Sequence, residues 1–230
     1  MPDSIRIGDY VHCPAASGLD ATGYARIGEF ELSDFLTHWD ALHDDALQVL
    51  PARIHPTARI HPTAIIGEDV IIGPGVRVHE FSTVRKRSVL AAGVSVGFGC
   101  EVTHSFVGEN TVLGHQVGIG HSVIGADAHL SANLVIAAIS LWNHDMRAPV
   151  KEIVLHGPGD ELPYRCATPR FGGLIGDHVQ TGGMITLGPG IAVGRHSALA
   201  ASVCMGSTVV PAASVVRSSS PEVVIETRRV

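Results

Sequence analysis

Stepping along the chain by six from Ile54 gives Ile60, Ile66, Ile72, Val78, Val84, Leu90, Val96 and Val102, nine aliphatic residues in register. An amphipathic helix would repeat near 3.6 residues and a half-buried strand near 2, so neither accounts for a period of six. The register slips by one to Val107, Leu113 and Ile119, and slips again to Ile124, Leu130 and Ile136. After a gap it returns at Ile175, Leu187, Val193, Leu199 and Met205, with Thr181 as its polar exception. Glycine often follows the aliphatic residue, as at Ile66-Gly67, Ile124-Gly125 and Val193-Gly194. Such a repeat predicts a solenoid whose stacked coils bury one continuous aliphatic column. The two repeat blocks account for about seven coils, and at about 4.8 Å per parallel step they would stand about 34 Å tall.

Two segments break the period. Residues 1–50 lack it and form a separate N-terminal cap. There, "SDFLTHWDALHDDALQVL" places Phe35, Leu36, Trp39, Leu42, Ala46, Leu47 and Leu50 at helical spacing, with Ser33 as a candidate cap and Pro51 as a stop. This helix is expected to cover an open end of the solenoid. The repeat domain spans residues 51–218, interrupted by an excursion at 137–171 that carries Trp142, His144, Arg147, Tyr164, Arg165 and Arg170. An ordered insertion of that length is often functional. The solenoid is expected to stand without it, because neighbouring coils supply each other's contacts. Residues 219–230 form a tail. In "ARIHPTARIHPTA", His55 and His61 read as turn residues of the first coils.

Composition narrows the function. Apolar residues make up 45% of the chain but aromatics only 5%, so the core is aliphatic. A formal charge of −6 argues against a nucleic-acid partner. Cys13, Cys100, Cys166 and Cys204 lie far apart with no CxxC, as expected of reduced thiols in the cytoplasm. Neither a leader-like start nor an apolar run long enough for a membrane span is visible, so a cytoplasmic protein without membrane contact is expected.

The repeat resembles that of the hexapeptide acyltransferases. The resemblance implies an all-β, left-handed parallel β-helix with three short strands per coil, here with a small N-terminal helical cap. "GCEVTHSFVGENTVLGHQVGIGHSVIGADAHLSANLVIA" and "RFGGLIGDHVQTGGMITLGPGIAVGRHSALAAS" look like the acetyltransferase half of bifunctional glucosamine-1-phosphate acetyltransferase / N-acetylglucosamine-1-phosphate uridylyltransferase and of related sugar-phosphate nucleotidylyltransferase-like proteins. The match covers about residues 54–216, and the uridylyltransferase half finds no counterpart in this sequence.

The resemblance implies an acetyl-CoA-dependent transferase, assembled as a homotrimer, that acylates a small amine or hydroxyl acceptor. His115 falls on the family's general base, in a Gly-His pair after an aliphatic residue. Arg85 falls on a phosphate-binding arginine, and Glu101 on a glutamate of the same stretch. Arg170 falls on a basic residue of the cofactor groove, Gly183 and Ala201 on positions along the pantetheine arm, and Arg228 or Arg229 on a basic tail residue near the CoA phosphates. Four acceptor positions depart from the family: Thr103 replaces a lysine, Gly118 a tyrosine, and His129 and Ala138 asparagines. The transfer machinery therefore looks retained and the acceptor pocket rebuilt.

The chemistry fits. An amine must lose a proton as it attacks a thioester, and an imidazole with a reference pKa of about 6.5 suits that task. His104 and His121 each lie two residues beyond hexad positions one coil apart, so they should stack about 5 Å apart. As acceptor-pocket or surface residues they need no metal. As ligands they would support a second reading, a metal-dependent lyase resembling γ-class carbonic anhydrase. A non-catalytic scaffold is the third.

Overall fold

The computed structural model describes residues 5–15, 18–141, 143–157, 159 and 162–218. Its centre is a left-handed parallel β-helix with three faces. The first face has eight strands, from Arg59–Ile60 to Val215–Val216. The second has seven, from Ile65–Ile66 to Cys204–Met205, and the third seven, from Ile71–Ile72 to Thr208–Val210. Hexad residues Ile72, Val78, Val84, Leu90 and their successors form the buried axial column. Thr181 belongs to it too, its Oγ1 accepting from the Ser131 N–H at 2.9 Å. The repeat continues past Met205 through Val210 and Val216, which explains why the first face has eight rungs rather than about seven.

The N-terminal segment does not close an end of the prism. It lies along the third face. That face points Ile71, Val89, Phe106, Val123, Leu174 and Ala192 outward, and all six are buried in one core with Ile7, Leu19, Tyr24, Ile27, Phe35 and Trp39. Tyr24 stacks on Phe106 with ring centroids 5.7 Å apart. An outward apolar column of this length would be an aggregation hazard if bare, and the N-terminal layer covers it. Helix α1 spans Leu32–Val49, so Ser33 sits in its first turn. The N-cap is Glu31, which makes no side-chain cap bond.

The excursion covers part of the same face. It folds a small antiparallel hairpin, Val154–Leu155 against Tyr164–Arg165, and buries Ile153, Leu155, Cys166 and Phe171 in this second core. It therefore packs on the prism, while the axial column itself contains none of its residues. Among the described residues, no helix is long and apolar enough to cross a membrane.

Candidate active-site cleft

The edge between the second and third faces is the most irregular part of the prism. On one rung it carries Arg85, Lys86 and Arg87. On the next two rungs the turn is one residue shorter, and these are the two slips in the hexad register. The shorter turns put His104 and His121 in the left-handed region, at φ 45° and 48°. On the following rung the edge opens into the excursion.

Three buried serines fix these turns. Ser88 Oγ donates to the Arg85 carbonyl (2.7 Å), Ser105 Oγ to that of Thr103 (2.9 Å) and Ser122 Oγ to that of Gly120 (2.9 Å). Each hydroxyl also accepts an N–H from the next rung: from Ser105 (3.3 Å), Ser122 (3.2 Å) and Gly173 (3.2 Å). Each of these three buried hydroxyls thus both donates and accepts. The excursion returns beside His121, where the Gly172 N–H donates to the His121 carbonyl at 2.9 Å. A side chain at Gly172 would put its Cβ 2.4 Å from the Gly120 oxygen, so only glycine allows that approach.

The result is a cleft of about 540 Å³, walled by the second face and by the returning excursion. Arg85, Lys86, Glu101, Thr103, Gly118 and His121 line one side, and Ala138, Met146 and Arg170 the other. Arg85 is engaged by Glu101 in an ion pair. Lys86 and Arg170 pair with no carboxylate among the described residues, and Arg170 Nη2 donates only to the Arg147 carbonyl (2.9 Å).

The His121 ring lies flat on that of His104, with centroids 4.6 Å apart and planes 14° from parallel, as the spacing predicts. Burial, then the neighbouring His104, Arg170 and Lys86, push the His121 pKa down to about 3. Burial also lowers that of His104. Both rings are therefore neutral near pH 7. Below about pH 6.5 the unfolded chain takes up protons that these rings refuse, so their contribution to stability falls as pH drops from about 6.5 towards 3. Urea unfolding of the wild type and His121→Asn between pH 7 and 4.5 should show a shallower loss in the variant. Parallel curves would contradict the buried neutral ring.

The structure brings Arg85, Glu101, Thr103, His104, Gly118, His121, Ala138 and Arg170 to this one edge, with His104 behind His121. It does not bring His115 there. His115 is exposed at the edge between the first and second faces, and its carbonyl accepts from the Asn133 N–H (2.9 Å). Gly183 lies higher on that same edge, where its carbonyl accepts from the Ser202 N–H (3.0 Å), and Ala201 sits beside it. His129 is exposed on the first face, in register with Val112 and Gln180. Trp142 and Arg228 lie outside the described residues. An aliphatic-Gly-His run occurs twice, at Leu113-Gly114-His115 and at Ile119-Gly120-His121. The second of these reaches the cleft. Among the described residues, no trio of His, Cys, Asp or Glu side chains is grouped so as to hold a metal.

A family model for the GMPPB C-terminal domain matches residues 49–152. Bifunctional protein GlmU of Methanococcus vannielii is 30% identical over 118 residues, covering 51% of this chain and 26% of that protein. The bifunctional sugar-1-phosphate nucleotidylyltransferase/acetyltransferase of Sulfurisphaera tokodaii is 28% identical over 116 residues, covering 50% of this chain and 27% of that protein. The chain resembles hexapeptide-repeat acyltransferase domains. It spans about a quarter of the length of these curated relatives. Among solved structures, AntD, an N-acyltransferase from Bacillus cereus in complex with dTDP and 3-hydroxybutyryl-CoA, superposes with a TM-score of 0.36 at 15% identity, covering 75% of this chain and 81% of that one.

Proposed function

We propose that the protein is an acyl-CoA-dependent acyltransferase, with acetyl-CoA as donor, acting on the amine or hydroxyl of a small anionic acceptor. The observation that carries this reading is a neutral imidazole, His121, at a cleft wall that also presents two cations without carboxylate partners among the described residues, Lys86 and Arg170. The acceptor nitrogen or oxygen attacks the thioester carbonyl and gives its proton to His121. The tetrahedral intermediate then collapses, the C–S bond breaks, and the proton passes from His121 to the CoA sulfur.

The depressed pKa of His121 argues for the acceptor's charge. A proton taken up by His121 is a positive charge beside two others. A phosphate or carboxylate bound by Lys86 and Arg170 offsets that repulsion and makes the ring a better base. This moves the anion-binding role from Arg85, which Glu101 occupies, to Lys86 and Arg170. Lys86→Gln and Arg170→Gln should each raise the acceptor KM by about tenfold, the scale of a lost charge-assisted hydrogen bond. Steady-state kinetics with unchanged acceptor KM in both variants would contradict the assignment.

We further propose a homotrimer in the cytoplasm. The edge bearing His115, Gly183 and Ala201 also exposes Phe81, Phe98 and Met184, with the two phenylalanine rings edge-to-face at 5.7 Å. An exposed apolar strip of this kind suits a subunit contact.

A further inference from the structure

The N-terminal layer reaches the cleft through one column of rings. Trp39 of α1 meets His104 edge-on, with centroids 4.6 Å apart and planes at 75°. His121 stacks flat on a face of His104. Trp39 is itself fixed. Its Nε1–H donates to the Tyr24 hydroxyl oxygen (3.0 Å), the Tyr24 O–H donates to His43 Nδ1 (2.8 Å), and His43 Nε2–H donates to the Asp69 carbonyl (2.7 Å). The assignment of the His43 proton follows from that carbonyl, which can only accept. Trp39, Tyr24 and His43 are buried, and the chain satisfies each of their polar atoms. Alongside, Asp40 Oδ1 stands 3.8 Å from His104 Nε2, and Arg87 ties α1 to the same edge through Asp40 (3.4 Å) and Asp44 (2.8 Å).

We infer that His104 is a positioning residue for His121, and that α1, through Trp39, is part of the support of the active-site cleft rather than a cover alone. This rests on the reading of His121 as the base. His104 does not line the cleft, so it meets His121 and not the acceptor. A flat stack fixes the plane of the His121 imidazole, and so the direction of its ring nitrogens. A ring able to tilt would spend less time aligned with the attacking atom, and small misalignments cost rate steeply. The stack also shields one face of His121 from water. The charged and titratable groups around the pair are Lys86 and Arg170 at His121, and Asp40, Arg87, His43 and Asp69 at His104. The sequence carries the device in its two register slips and in the pairs His104-Ser105 and His121-Ser122.

The test is an NMR titration of the His121 ring in the full chain, labelled at histidine, for wild type, His104→Ala and His104→Phe. His104→Phe keeps a flat ring against His121, and His104→Ala opens that face to water. In His104→Ala the midpoint should rise by about one unit or more. In His104→Phe, which keeps the burial and loses only the neighbouring imidazole's charge, it should rise by clearly less than in His104→Ala. With an acceptor in hand, His104→Ala should also lower kcat by about tenfold with an acceptor KM within about twofold, and His104→Phe should recover most of the rate. An unchanged midpoint in His104→Ala, or His104→Phe behaving like His104→Ala, would overturn the inference. If His104→Ala does not fold, His104→Ser opens the same face and carries the same comparison. Should no variant, wild type included, transfer an acyl group, the proposed activity fails while the titration still decides the role of His104.

Discussion

His121→Ala should lower acyl transfer by about 100-fold or more while leaving the fold and CoA binding intact. That is the usual scale for removing a general base. The substitution removes the cleft's imidazole and leaves the serine ladder beneath it, so the turn stays closed by Ser105 and Ser122. His115→Ala should stay within a few-fold of wild type, because within one chain His115 stands on the far edge of the second face. Measuring CoA release for both variants in parallel distinguishes the two aliphatic-Gly-His runs. A large loss in His115→Ala with little in His121→Ala would return the base to the first run.

The second large effect concerns stability. Phe106→Ala should cost about 3–5 kcal/mol, the range for removing a buried phenylalanine. Phe106 is fully buried between the third face and the N-terminal layer, and Tyr24 stacks on it. Denaturant unfolding measures the change. A helix that capped only the end of the prism would leave this residue at the surface, and its truncation would then cost under about 0.5 kcal/mol. The small value would contradict the layered arrangement.

These two predictions fall on features that the sequence shows unequally. The axial column is plain in the hexad, because every inward position must be apolar in every coil. The covered face was legible too, though its signal has a longer period. Aliphatic or aromatic residues stand just before the hexad residue at Ile71-Ile72, Val89-Leu90, Phe106-Val107, Val123-Ile124 and Leu174-Ile175, once per coil. An outward column that stays apolar over successive coils needs a layer on top, and the layer is the helix with its tryptophan. The end-cap expectation missed this because it weighed the helix alone and not the surface waiting for it.

The cleft was harder to read. Two aliphatic-Gly-His runs match the family pattern, and spacing alone does not say which edge of a triangular prism each one occupies. Counting slips does say it. A register that loses a residue has lost it at a turn, and both losses fall at His104 and His121. The pairing of Arg85 with Glu101 lay beyond sequence reasoning, because it depends on side chains of neighbouring rungs meeting across the second face. In the proposed function it leaves Lys86 and Arg170 as the cations for the acceptor.

The most direct measurement is a mass-spectrometric screen of phosphorylated and carboxylated amines and alcohols, incubated with acetyl-CoA and either the wild type or His121→Ala. The account predicts an acetylated product from at least one anionic acceptor, formed with stoichiometric release of CoA by the wild type and at about one hundredth of that rate or less by His121→Ala. Acetylation at equal rates in the two proteins would contradict the role of His121. No acetylated product across the panel, from a protein that also fails to bind CoA, would contradict the proposed function itself.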